Sequence, residues 1–428
     1  MKRILSYLTW ELAFIVVMIV TSGGNYILNL ALGRFLGPEA FGHVSVIATL
    51  VLIASFIAVA IQITSAKFAA KMYGEGEGQN IGSLQVHLRR KAFLLGIIAS
   101  LILLIVHMPM FHFLKLENHA SLILFSIGIP MHWSFSVDRG FQQGTNKFKQ
   151  LSFSYFLEMV VRLCLTLGLL WLIQAGSEAD WIVALGFLVS FLITFVFHRL
   201  TAVRLSTKYN PALLQKPILT FFGLILLYEC CQVLISNSDV ILAKHYLGAE
   251  AAGLYASLAL IGKIVFFGTW TIVMVLFPKV VQKQKAGLPY NALFNQAFSF
   301  VLIIGGAVVL STVFFDKFII SNLFGQAYIA VAPWLKWYAL ATLMFALSNV
   351  FVYYYMSLSR YFPIVISFIF GSAQVGFILL FHHSFYEIIL VQIMCMSGLL
   401  ISTVTYHLLI ENKLKQNATS HSISLSTK

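Results

Sequence analysis

The chain has 428 residues, of which 60% are hydrophobic and only 10% charged, with a mean hydropathy of +0.89. A soluble domain carries about 25% charged residues, so this composition excludes a soluble globular protein. The net charge of +13 would suggest nucleic acid in a soluble chain, but in a membrane protein it reflects basic cytoplasmic loops and calls for no nucleic acid.

A spanning helix needs about 20 apolar residues. Apolar stretches of that length predict spans over 12–32, 41–64, 92–113, 120–138, 150–173, 181–198, 218–238, 252–276, 292–314, 333–355, 361–381 and 385–410. Met1-Lys2-Arg3 before the first of them resembles a signal peptide, but 12–32 is too long for a cleaved apolar region and reads as an uncleaved first helix. With the amino terminus in the cytoplasm, the outside segments hold only Arg34, Lys115, Lys244 and Lys317, and nearly all other Lys and Arg fall inside. That asymmetry predicts two cytoplasmic termini. The longest loop, Ser65 to Lys91, is then basic and cytoplasmic, and no outside loop is large enough for a catalytic cap. Trp10, Trp181 and Trp334 lie near span ends, as interfacial anchors would.

The chain repeats itself. Leu36-Gly37-Pro38-Glu39-Ala40-Phe41-Gly42 recurs as Leu247-Gly248-Ala249-Glu250-Ala251-Ala252-Gly253, a shift of 211 residues between Gly37 and Gly248. Gly144-Thr145-Asn146-Lys147-Phe148 is echoed more weakly by Ser357-Leu358-Ser359-Arg360-Tyr361. The expectation is an all-α polytopic membrane protein with about 12 transmembrane helices in two parallel six-helix repeats around a central cavity. The lobes would be 1–208 and 209–410, with a cytoplasmic tail over 411–428.

Charges inside spans cost about 2.5–3.5 kcal/mol each at mid-membrane, so they mark pairs or a wet cavity. Glu158 and Arg162 stand at i, i+4 in the fifth span; they form either a structural pair or a cavity wall in which Arg162 meets an anionic headgroup. Glu229, Gln232, Ser236 and Asp239 draw a polar stripe along the seventh span, and Ser22, Asn25 and Asn29 draw one along the first, with Asn25 aligned to Ser236. Such stripes also serve as helix-packing glue. Lys263 in the eighth span pairs with Glu229 across the hairpin or offers a cationic site for phosphate or an acidic sugar. Asp138 and Arg139, at a span end, read as a solvated interface pair.

Other chemistry is scarce. Cys164, Cys230, Cys231 and Cys395 lie in apolar runs without a disulfide or zinc pattern, and His382-His383 lacks further ligands, so no metal is expected. The one Gly-Lys pair, Gly262-Lys263, opens no phosphate-cradling loop, so neither ATP nor any other cofactor is expected. The Asn417-Ala418-Thr419 sequon falls in the expected cytoplasmic tail.

Asn29-Leu30-Ala31-Leu32-Gly33-Arg34-Phe35-Leu36-Gly37-Pro38-Glu39-Ala40-Phe41-Gly42 resembles the amino-terminal signature of the bacterial polysaccharide transporters, the oligosaccharide flippases of O-antigen and capsule synthesis. Arg139 to Gly144, Asp239 to Tyr255 and Leu323-Phe324-Gly325-Gln326-Ala327-Tyr328 also look familial. The resemblance implies two six-helix lobes, no enzymatic activity, and an undecaprenyl-pyrophosphate-linked oligosaccharide cargo at a bacterial inner membrane. It implies membrane lipids as partners, a polysaccharide polymerase and chain-length regulator as candidate partners, and H+ or Na+ as a candidate coupling ion. Alternatives are an ion-coupled multidrug extruder, a lipid II-type flippase, whose two additional helices this chain lacks, and a membrane glycosyltransferase or polymerase, which would need acids or a metal on a sizeable outside loop.

Overall fold

The computed structural model describes residues 2–74, 78–173, 179–201, 215–264, 280, 289, 291–358 and 360–426. Among these residues there is no strand. The helices are α1 (Lys2–Gly74), α2 (Gly78–Ile105), α3 (His107–Leu114), α4 (Ala120–Gly144), α5 (Phe148–Ile173), α6 (Asp180–Leu200), α7 (Gln215–Leu247), α8 (249–264), α9 (Asn291–Phe314), α10 (Asp316–Leu323), α11 (Ala332–Ser357), α12 (Phe362–Leu380) and α13 (Phe385–Ser426), with a short 3-10 turn at Gln326–Val331. Among the described residues nine helical stretches are long and apolar enough to cross a membrane, or ten if α2 and α3, bent by 66° at Val106, form one broken span. Each expected span falls on helix; residues 265–276 of the eighth lie outside the described residues.

α1 supplies the first two spans because it is broken at Gly37 (φ 76, ψ 174), a conformation that only glycine adopts without strain. Pro38 follows, its fixed φ and missing N–H suiting the start of the second arm. Gly248 (φ 87) and Gly325 (φ 101) also have positive φ. Gly37 and Gly248, equivalent positions of the repeat, are thus both turn residues, and so is Gly325 of the familial stretch Leu323 to Tyr328.

The segment expected as a basic loop, Ser65 to Lys91, is instead largely helical, with α1 reaching Gly74 and α2 starting at Gly78. Its small and aliphatic residues explain why: Ala69, Met72 and Leu84 are buried and bind these helix ends into the bundle. The continuation of α13 to Ser426 carries helix through residues 411–426.

Internal packing divides the chain into two compact units, residues 1–233 with 240–256, and residues 234–239 with 257–428. In the first, α4 packs on α1, α2 and α6 and is largely buried. Gly140 and Gly144, one helical turn apart, let α4 touch the α1 backbone: a Cβ on Gly140 would strike Gln62 O, and one on Gly144 would strike Ala66 O. Gly186 similarly seats α6 against Thr166 of α5. In the second, α11 is equally buried and packs against α9 and α13, around Phe294, Ala297, Val301, Phe351 and Tyr355. Large apolar side chains such as Trp171, Ile303 and Ile401 point outward, where a bilayer accepts them at no cost.

Candidate functional site

Ser154, Glu158, Arg162 and Thr166 recur every fourth residue, so α5 turns one polar face inward, and all four side chains are buried. Arg162 reaches Glu158 Oε1 with Nη2 and donates from Nη1 to Asn25 Oδ1 at 3.1 Å. Its guanidinium lies over Phe187 (4.2 Å) and Phe191 (5.6 Å) of α6. Asn25 is fixed in turn by Asn29, which donates to the Asn25 carbonyl at 2.9 Å. The expected pair of Glu158 with Arg162 and the first-span residues Asn25 and Asn29 therefore come together at one place.

A second arginine joins them. Arg139 of α4 meets Glu158 Oε2 at 2.7 Å, donates from Nε to Ser154 Oγ at 2.9 Å and from Nη2 to the Ser154 carbonyl at 3.0 Å, and lies over the Tyr155 ring at 3.9 Å. Tyr155 donates to Gln62 Oε1 on α1 at 2.7 Å. His198 Nε2 of α6 lies 2.8 Å from Ser154 Oγ. The reading of Asp138 and Arg139 as a solvated pair is corrected: both are 3% exposed. Successive helical residues point about 100° apart, so Asp138 turns instead to α2, accepting from Gln85 at 2.7 Å and meeting Arg89 at 3.4 Å. Glycine at 140 is the sequence signal for this arrangement, since close approach of α4 to α1 buries whatever flanks it.

The seventh-span stripe divides between the units. Glu229 and Gln232 are buried in the first. Ser236 and Asp239 belong to the second, where Asp239 Oδ2 accepts from Tyr338 O–H at 2.9 Å and from Gln392 Nε2 at 2.6 Å. Lys263 donates to Asn237 Oδ1 at 3.0 Å; this amide, not Glu229, is the partner it finds. Gln374 Nε2 donates to the Ile235 carbonyl at 3.0 Å. Ser236, Lys263, Tyr338, Gln374 and Gln392 line a cavity of about 30 Å³, room for a water or two. Asn237, Tyr338, Gln374 and Gln392 were not singled out from the sequence: Asn237 falls off the spacing of the seventh-span stripe, and the other three lie on remote spans that only packing brings to it. Among the described residues no three His, Cys, Asp or Glu side chains form a metal-holding group.

The first unit's cluster sets two guanidinium groups against one carboxylate in a low-dielectric interior, leaving a net positive charge that favours an anion. Fold and site together define an all-helical, multi-pass membrane protein built to keep charge inside its bundle. The sequence profile described as polysaccharide biosynthesis protein matches residues 12–284, and the chain belongs to that family. No curated protein matches the sequence. Its fold is that of the MOP-superfamily transporters. An inward-facing multidrug resistance MATE family transporter of that superfamily superposes with TM-score 0.77 at 14% identity, over 92% of this chain and 95% of the other. The outward-facing MATE family structure gives 0.63 at 14% identity, over 94% and 95%. A MOP superfamily transporter from Pyrococcus furiosus, described as having a binding pocket of reverse polarity that suggests a different function, gives 0.67 at 14% identity, over 94% of each chain.

Proposed function

We propose that the protein is a flippase that moves an undecaprenyl-pyrophosphate-linked oligosaccharide repeat unit across a bacterial inner membrane for O-antigen, capsule or exopolysaccharide synthesis. The observation that carries the reading is the sharing of Glu158 by Arg139 and Arg162. One acid cannot neutralise two buried arginines, and an unbalanced cation in a membrane interior is costly unless an anion visits it. A pyrophosphate supplies that anion, and a guanidinium can donate two parallel bonds to phosphate oxygens. Family membership supports the polysaccharide pathway. The same positive sign disfavours a cationic drug as cargo. Both termini would be cytoplasmic, with lobes 1–208 and 209–410, a cytoplasmic tail over 411–428, and H+ or Na+ as coupling ion. Lys263, Ser236 and Asp239, with Glu229 and Gln232, are assigned to cargo handling, as are Arg162, Glu158, Asn25 and Asn29. Candidate partners are the polysaccharide polymerase and chain-length regulator.

The test is reconstitution of the full chain in liposomes holding a fluorescent lipid-linked oligosaccharide, with a membrane-impermeant quencher outside. Wild type should expose inner-leaflet label to the quencher, and Arg162→Ala should not. Equal flipping by both, or export of a cationic dye in place of the lipid, would overturn the reading.

A further inference from the structure

The two copies of the repeated stretch meet within the first unit, and they do so reciprocally. A Cβ on Gly42 would strike Ala249 O, and one on Gly253 would strike Pro38 O. Shifting Pro38 and Gly42 by 211 residues gives Ala249 and Gly253, so one contact is the symmetry mate of the other. Backbones approach this closely only where side chains are missing.

Beside this seam lies a titratable cluster that the cargo site does not use. Lys244, near the end of α7, is fully buried, a large cost for a solvated ammonium. Its Nζ lies 3.1 Å from His43 Nδ1 and 3.4 Å from Nε2, and His43, just after Gly42, is 2% exposed. His43 Nε2 also lies 3.3 Å from Glu117 Oε1. A lysine ammonium is a donor only, so His43 can serve it only as a neutral ring with a lone pair free on one nitrogen. The Lys115 backbone, the side chains of Lys115 and Glu39, and Asp180 of α6 complete the charged surroundings. Nearby, His245 Nδ1 lies 2.7 Å from the Phe113 carbonyl.

We infer that His43 and Lys244 form a proton-operated latch that holds the repeat seam shut at the outer face. The inference rests on the topology and transport reading proposed above. With His43 neutral, Lys244 bonds it and α7 is tied to the second arm of α1. A proton taken up from outside by the ring removes its lone pair and places a second positive charge beside Lys244. The imidazolium then keeps Glu117 as its partner, the bond between α7 and α1 is lost, and the glycine seam parts. Acid outside therefore opens the latch and alkali closes it, which gives an inward proton gradient a place to act.

The experiment uses the full chain with its four cysteines replaced by Ala, one cysteine at the buried Ala40, and a control cysteine at the exposed Ala327 in a separate protein. Right-side-out membrane vesicles are treated with an impermeant thiol reagent, and labelling at 40 is divided by labelling at 327. Lowering the outside from about pH 7.5 to about pH 4, far enough to charge an imidazole that faces an ammonium, should raise that ratio about tenfold. His43→Gln, which keeps an acceptor but cannot titrate, should hold it low at both pH values. Lys244→Met should hold it high at both. Acid-dependent labelling that survives in His43→Gln, or a closed seam in Lys244→Met, would overturn the latch. No cargo is present, so failure here leaves the flippase reading to its own assay, and failure of that assay leaves this readout intact.

Discussion

Arg139 and Arg162 stand on different helices and hold the two oxygens of one carboxylate, Glu158. Asymmetry follows from their other partners. Arg139 is pinned by Ser154 and stacked on Tyr155, whereas Arg162 has, among the described residues, only Asn25 and two aromatic faces besides. Arg139 is built as scaffold, and Arg162 is the arginine freer to exchange partners.

Replacing Arg162 by Ala should therefore leave Glu158 paired to Arg139, with membrane abundance near normal and transport lost. Arg139→Ala removes three polar contacts at once and should lower abundance. Glu158→Gln strands two buried cations and should be the most damaging of the three, by about 3–5 kcal/mol. Immunoblots of membranes and thermal melts in detergent, read beside surface polysaccharide, separate these outcomes. Equal abundance of Arg139→Ala and Arg162→Ala would count against the division of labour.

Lys263 depends on Asn237. Asn237→Ala removes an acceptor from a buried ammonium and should cost about 1–3 kcal/mol, whereas the double change with Lys263→Met should recover most of the melting temperature. A double mutant no more stable than Asn237→Ala would show that the pair does not couple.

The break in α1 needs glycine. Gly37→Ala places a side chain at φ 76 and should destabilise by about 1–3 kcal/mol. Gly23→Ala, in helical backbone with nothing within 4 Å of the new Cβ, should be neutral or slightly stabilising, since glycine weakens helix interiors by about 0.5–1 kcal/mol. Matched thermal melts of the two proteins check this, and a stable Gly37→Ala would deny the turn its steric basis.

Topology is checked by reporter fusions. Fusions after Lys91, Lys149 and Lys216 should report cytoplasm, and fusions near Gly37 and Gly248 the outside. An outside signal after Lys91 would break the twelve-span arrangement.

The spans, the repeat and the pairing of Glu158 with Arg162 were legible in the sequence. Apolar length and i, i+4 spacing are local quantities, and bilayer thickness and helix pitch convert them directly into structure. The basic stretch from Ser65 to Lys91 was misread as loop because its charges mask buried residues such as Ala69 and Leu84. Its helicity comes from packing, which hydropathy does not register.

By itself, then, the sequence determined how many times the chain crosses and where glycine must turn it, because backbone hydrogen bonding in lipid leaves each span no alternative to helix. Tertiary structure alone decided which charges on different helices meet. Arg139 reaches Glu158 because Gly140 and Gly144 press α4 onto α1, Lys263 finds Asn237 rather than Glu229, and Lys244 finds His43 across 201 residues. A side chain's electrostatic partner depends on distances of a few ångströms between helices remote in sequence, and those distances are set only when the helices pack.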